Sequence, residues 1–212
     1  MLRLANAGGP RYSIAMRRKH RTGEFYCRVS VAALLVLAGC ATTRLRDPNT
    51  TTVYLVRHGE KSTAVPNDPD PDLSTAGWAR ANALAAKLHG AGVTAIIATQ
   101  LKRTQETAEP LAARLRLNVE VVPVGGPAHA DSVAAAIRRH PGETVLVVGH
   151  SNTITPIIAA LGGLRLPNLC DSEYSSLFVV TLSTSARPVV VRQHYGAPDP
   201  VPDSACAAMQ SR

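Results

Sequence analysis

Aromatic residues make up only 4% of this 212-residue chain, with one Trp and two Phe among them. A core must therefore be built from Ala, Val, Leu and Ile. The same scarcity argues against a single-stranded nucleic-acid binder, which needs exposed rings on which bases stack. A run long enough to cross a bilayer, ~20 residues, is also missing; the apolar stretch at 29–39 (VSVAALLVLAG) is shorter. No Cys/His cluster has zinc-ligand spacing, and no internal repeat is visible. Acidic residues are few, 15 against 23 Lys and Arg, for a formal charge of +8. That excess sits at one end. Arg3, Arg11, Arg17, Arg18, Lys19, Arg21 and Arg28 precede residue 40 with only Glu24 to oppose them, so the remainder carries about +2 and gives no footprint for nucleic acid.

The basic block Arg17-Arg18-Lys19-His20-Arg21, the apolar run after it and then Leu37-Ala38-Gly39-Cys40 follow the order of an export signal. The last four residues resemble a bacterial lipobox. That resemblance implies cleavage before Cys40, lipidation of its thiol and a membrane contact through the N-terminal lipid. Ala41 in place of Asp implies the outer membrane, facing the periplasm. Residues 1–39 are then signal peptide, with Met16 an alternative start. Residues 40–51 form a lipidated tether, 52–196 the folded domain and 197–212 a Pro-rich tail. Export leaves Cys170 and Cys206 in an oxidising compartment, where they either form a disulfide or remain free thiols.

From residue 52 the chain alternates between strand and helix patterns. Val53, Tyr54, Leu55 and Val56 read as a buried strand ending on Arg57, His58 and Gly59. Residues 62–73 are a Pro- and Asp-rich loop. Ser74 or Thr75 caps a helix with Trp78, Ala81, Leu84, Ala85 and Leu88 on one stripe. Strands follow at 93–98, 119–122, 144–148, 177–182 and 189–194. Helices are expected at 103–116, bent or restarted at Pro110, at 131–140 and at 153–161. Strands separated by helices predict an α/β fold, a three-layer sandwich with a mostly parallel central sheet.

In such a sheet His58, Arg103 and His150 all follow strands and meet at one edge, where open α/β sheets bind ligands. The stretches LVRHGEK (55–61), LSTAGWARANALAAKL (73–88), LKRTQETAEPLA (101–112) and VLVVGHSN (145–152) resemble, in order, the histidine phosphatase superfamily, also called phosphoglycerate mutase-like. The resemblance implies a phosphatase acting on a small phosphorylated substrate or a phosphoprotein, with no cofactor and no metal. His58 would attack phosphorus and become phosphohistidine. Arg57, Arg103 and His150 would hold the phosphoryl oxygens. Gly59 would let the loop approach the phosphate, and Ser151 and Asn152 would add donors.

The family's leaving-group acid has no evident counterpart, since Ser151 rather than Asp follows His150. Asp131, beyond the third strand, is the first candidate, and His129 the second. If no acid serves, good leaving groups or phosphoramidates are favoured. A catalytically weak phosphate-binding lipoprotein, acting as an envelope interaction module, is the alternative.

Overall fold

The computed structural model describes residues 48–201 together with Cys206. The expected signal peptide, Cys40, most of the tether and the end of the tail lie outside the described residues. A six-stranded sheet runs in the order β3-β2-β4-β1-β5-β6. Its strands are β1 (Thr50–Arg57), β2 (Ala95–Ala98), β3 (Val119–Val121), β4 (Thr144–Gly149), β5 (Ser176–Ser183) and β6 (Val189–His194). Neighbours β3, β2, β4 and β1 are parallel, whereas β5 is antiparallel to both β1 and β6. The sheet is thus largely parallel, as expected. β1 starts at Thr50, so the last two residues assigned to the tether belong to the sheet.

The central strands β4 and β1 are apolar because both of their faces are covered. On one face, Val56, Ile96, Leu146 and Val148 pack against α1 (Thr75–Leu88) and α2 (Lys102–Leu115) through Leu84, Leu88, Ala108 and Leu111. On the other, Val53, Leu55, Val145 and Val147 meet α3 (His129–Arg138) and α4 (Ile154–Ala160) through Val133, Ile137, Ile154 and Ile157. Each fully buried Leu or Ile stabilises the fold by roughly 1.5–3 kcal/mol. These residues set the three layers.

The Ser74 side chain accepts from Gly77 N at 3.1 Å and starts α1, as the sequence predicts. Two helices differ from expectation. Pro110 lies inside α2 without dividing it; its missing N–H removes one bond, and the buried Leu111 and Ala108 hold the turn in place. Meanwhile α3 begins at His129 rather than Asp131. That shift of two residues decides which side chain reaches the strand edge.

Candidate active site

β1 and β4 are in register, with Arg57 opposite Gly149. The chain continues the pairing for one more bond, His58 N to Gly149 O at 2.9 Å. His58 and His150 therefore leave adjacent central strands side by side, their ring centroids 5.3 Å apart and their planes at 64°. Arg103 sits in the first turn of α2, after β2, the other neighbour of β4. Topology alone brings the three together.

His58 is 3% exposed, and its Nδ1 lies 2.7 Å from Gly59 O. A carbonyl only accepts, so Nδ1 carries the hydrogen and Nε2 keeps a lone pair. Burial, then the positive charges of Arg57 and Arg103 together with His150, push its pKa down to about 3, against the Gly59 bond. Neutral imidazole is the form required of a nucleophile. Burial also lowers His150, to about 4, helped by Arg103, His129, Arg57 and Lys61.

A threonine relay fixes the His150 tautomer. Thr104 Oγ1 donates to Leu101 O at 2.8 Å and so accepts from Thr99 Oγ1 at 2.9 Å. Thr99 Oγ1 is left to accept from His150 Nε2–H at 3.2 Å.

The two arginines hold donors in reserve. Arg57 Nη1 donates to the carbonyls of Cys170, Asp171 and Glu173 at 2.8, 2.9 and 3.1 Å. Its guanidinium lies 4.0 Å above the Tyr174 ring. Nε of Arg57 and both Nε and Nη1 of Arg103 are buried without a hydrogen bond. Arg103 has only a long ion pair, 3.5 Å to Asp70 Oδ1, and burial lowers its pKa. A buried unpaired donor costs about 1–3 kcal/mol, and such groups gathered around two histidines suit a phosphoryl anion. Among the described residues no group of three or more His, Cys, Asp or Glu is placed to hold a metal ion.

The family description of the histidine phosphatase superfamily, branch 1, matches residues 53–124, which carry Arg57, His58 and Arg103. About a third of the chain thus matches the histidine phosphatase superfamily. An uncharacterized protein of Mycobacterium tuberculosis is 44% identical over 80 residues; the match covers 36% of this chain and 40% of that protein. The chain thus spans well under half the length of this curated relative. The protein histidine phosphatase SixA, solved with tungstate, is 22% identical and superposes with a TM-score of 0.55, covering 68% of this chain and 96% of SixA. A mycobacterial glucosyl-3-phosphoglycerate phosphatase is 18% identical with a TM-score of 0.53, covering 70% of this chain and 100% of that one. At those identities the likeness establishes the fold. The match to the histidine phosphatase family supports phosphatase activity in general terms.

Against that family pattern, the other expected site residues divide. Gly59 is required for packing, because a Cβ there would lie 2.9 Å from Gly77 O, in the first turn of α1. Ser151 is half-buried and Asn152 exposed; it is Thr153 Oγ1 that accepts from His150 N, at 2.9 Å. Asp131 is exposed on α3 and lines a cavity of about 560 Å³ with Thr155, Pro156 and Arg165. Because α3 starts at His129, residue 131 is turned about 200° away from 129 around the helix. His129, 6% exposed, is the one that acts on His150.

Glu60 is spent on Arg80, which donates from Nε at 3.0 Å to both carboxylate oxygens and from Nη2 at 2.7 Å to Oε1. Sequence reasoning missed Arg80, Thr99, Tyr174 and Thr107. Thr107 Oγ1 accepts from Gly59 N at 2.9 Å and donates to Arg103 O at 2.7 Å, tying the His58 turn to α2. The T-x-x-T spacing of Thr104 and Thr107 on one helix face was the available signal for part of this. Cys170 and Cys206 are joined by a disulfide with a Cα separation of 5.5 Å. It fastens the loop whose carbonyls grip Arg57.

Proposed function

We propose that this protein hydrolyses phosphomonoesters or phosphoramidates through a phosphohistidine at His58, without a metal, from the bacterial envelope. The observation that carries the reading is the neutral, edge-mounted His58 beside donors of Arg57 and Arg103 that have no hydrogen-bond partner. His58 Nε2 attacks phosphorus in line with the leaving group, while the Arg57 and Arg103 guanidiniums, and His150 once the dianion has drawn a proton onto its Nδ1, bind the three equatorial oxygens. Water then attacks the phosphohistidine from the vacated side and releases phosphate. The Nδ1–H bond to the Gly59 carbonyl supports the cationic ring formed in the intermediate.

Small phosphorylated molecules and phosphoproteins both fit the reading, since one structural neighbour is a protein histidine phosphatase and another a glucosyl-3-phosphoglycerate phosphatase. The envelope address rests on the basic-apolar-Cys40 order of the sequence. A phosphate-binding lipoprotein is the second reading, favoured by one observation: no carboxylate is among the groups acting on His58 or His150.

The test is hydrolysis of p-nitrophenyl phosphate by the full-length protein in mild detergent. Wild type turns over, EDTA leaves the rate unchanged, and His58→Ala lowers kcat by about a thousandfold or more with an unchanged melting temperature. A folded wild type that binds phosphate yet shows no turnover from acid to neutral pH establishes the binding reading instead.

A further inference from the structure

We propose that His129 is the proton donor to the leaving group, in the place where a carboxylic acid is missing; the proposal rests on the phosphohistidine reading above. His129 opens α3 just beyond β3, the strand beside β2, so it shares the edge that carries His58, Arg103 and His150. It is 6% exposed. Its Nδ1 lies 3.0 Å from the Pro123 carbonyl, which only accepts, so that nitrogen keeps its hydrogen in either charge state. The exchangeable proton belongs to Nε2, which is buried with no hydrogen-bond partner.

The loop before it is held in place. Gln100 receives Val124 N at 2.8 Å and donates to Val124 O at 3.2 Å, clamping the residues before His129 to the turn that launches Arg103.

The carboxylates nearby are committed elsewhere. Glu60 is bound to Arg80, and Glu106 accepts Leu73 N at 2.6 Å. Asp70 accepts Lys102 N at 3.0 Å and pairs with Arg103, and the side chain of Asp171 is fully exposed.

Each step balances with His129 as the only proton carrier. As the His58 Nε2–P bond forms and the P–O bond to the leaving group breaks, imidazolium Nε2–H of His129 gives its proton to the departing oxygen. An alcohol leaves, and His129 is neutral. When water attacks the phosphohistidine, His129 Nε2 takes one water proton. The P–N bond breaks, phosphate retains the other proton, and His129 is again imidazolium.

A proton donor matters in proportion to how poor the leaving group is, and a merely structural residue does not discriminate. The experiment compares p-nitrophenyl phosphate with glycerol 3-phosphate for wild type, His129→Gln and His129→Glu in the full-length protein. The Gln amide keeps an N–H for Pro123. His129→Gln should lose about 10²–10⁴-fold in kcat on glycerol 3-phosphate, the range for general acid catalysis, and change little on p-nitrophenyl phosphate. His129→Glu, which restores a proton-bearing group, should recover part of the glycerol 3-phosphate rate.

Equal losses on both substrates, no loss on either, or wild type that turns over p-nitrophenyl phosphate but not glycerol 3-phosphate overturns the proposal while leaving the phosphohistidine reading intact. If Gln unfolds, the Glu variant decides alone by the same substrate contrast. Failure of the phosphohistidine reading has a separate signature, full activity in His58→Ala.

Discussion

The two halves of the sheet handle buried charge in opposite ways. Around β5 and β6 the buried Glu173 and the buried Arg80 each have a partner of opposite charge. Arg192 pairs with Glu173, which also accepts from Ser176 Oγ, and Arg80 is clasped by Glu60. His194 shares Ser175 Oγ with Asp199. At the carboxyl edge of β2, β4 and β1 the partners are carbonyls and threonine hydroxyls, plus two long ion pairs, Arg103 to Asp70 at 3.5 Å and Arg57 to the exposed Asp171 at 3.7 Å. Paired charge is spent on holding the fold; unpaired positive charge remains available to an anionic ligand. The difference locates the site without reference to any motif.

The sharpest way to break that contrast is to remove one arginine from each half. Arg103→Ala should lower kcat/KM by about 10²–10³-fold, the effect of deleting a donor to transition-state charge. It should leave the melting temperature unchanged or raised, because a poorly paired buried guanidinium disappears. Arg192→Ala should do the reverse, costing about 1–3 kcal/mol by leaving buried Glu173 short of a partner while turnover stays near wild type. Circular dichroism melts beside the p-nitrophenyl phosphate assay check both. Equal stability losses would mean the two halves do not differ.

The second largest effect tests the seam between the halves. Cys206→Ser opens a covalent loop of 36 residues' separation. Closing a loop of that length stabilises a fold by about 3–4 kcal/mol, which for a domain of this size corresponds to roughly 10 °C in Tm. Because Cys170 O is one of three carbonyls holding Arg57 Nη1, turnover should also fall, though less than in Arg103→Ala. Loss of stability with turnover untouched would separate the disulfide from the site.

A smaller, pH-dependent effect follows from the two neutral histidines. Their folded values, about 3 and about 4, lie below the ordinary 6.5. The unfolded chain therefore takes up protons first as pH falls. Their contribution to stability is complete above 6.5 and is lost on acidification through 4 toward 3. An oxyanion between the rings favours their charged forms, so binding should take up protons. Sulfate, a dianion throughout this range, should bind more tightly at pH 5.5 than at 7.5 and raise Tm more there. Titration calorimetry in buffers of different ionisation enthalpy counts the protons; none taken up would place the anion elsewhere.

Much of the fold and the principal residues were legible because they depend on local pattern. VYLVRH and VLVVGH are continuous apolar runs that end on a polar residue, and a parallel sheet puts such ends on one edge. The Thr99–Thr104–His150 relay, the Glu60–Arg80 clasp and the Tyr174 ring under Arg57 join positions 51, 20 and 117 apart. No periodicity carries information across such gaps. Gly59 shows an intermediate case. Its need for a small residue was visible, but the neighbour that requires it, Gly77, belongs to the first turn of the next helix.

The smallest predicted effect concerns Asp131, the acid that sequence reasoning placed first. The sequence pattern opens a helix at Asp131 after a Gly-Pro loop, which would put that carboxylate at the strand edge. The chain instead enters α3 at His129, and one helical phase then sends residue 129 to the strand edge and residue 131 toward α4. Asp131→Asn removes an exposed carboxylate in the first turn of α3, where its charge favours the helix by only about 0.3–1 kcal/mol. It should therefore lower Tm slightly and leave the kcat ratio between glycerol 3-phosphate and p-nitrophenyl phosphate at its wild-type value. That ratio is the quantity to measure, because it moves only if residue 131 carries the proton. A selective loss on glycerol 3-phosphate would return the role to the carboxylate and mean that α3 unwinds its first turn to deliver it.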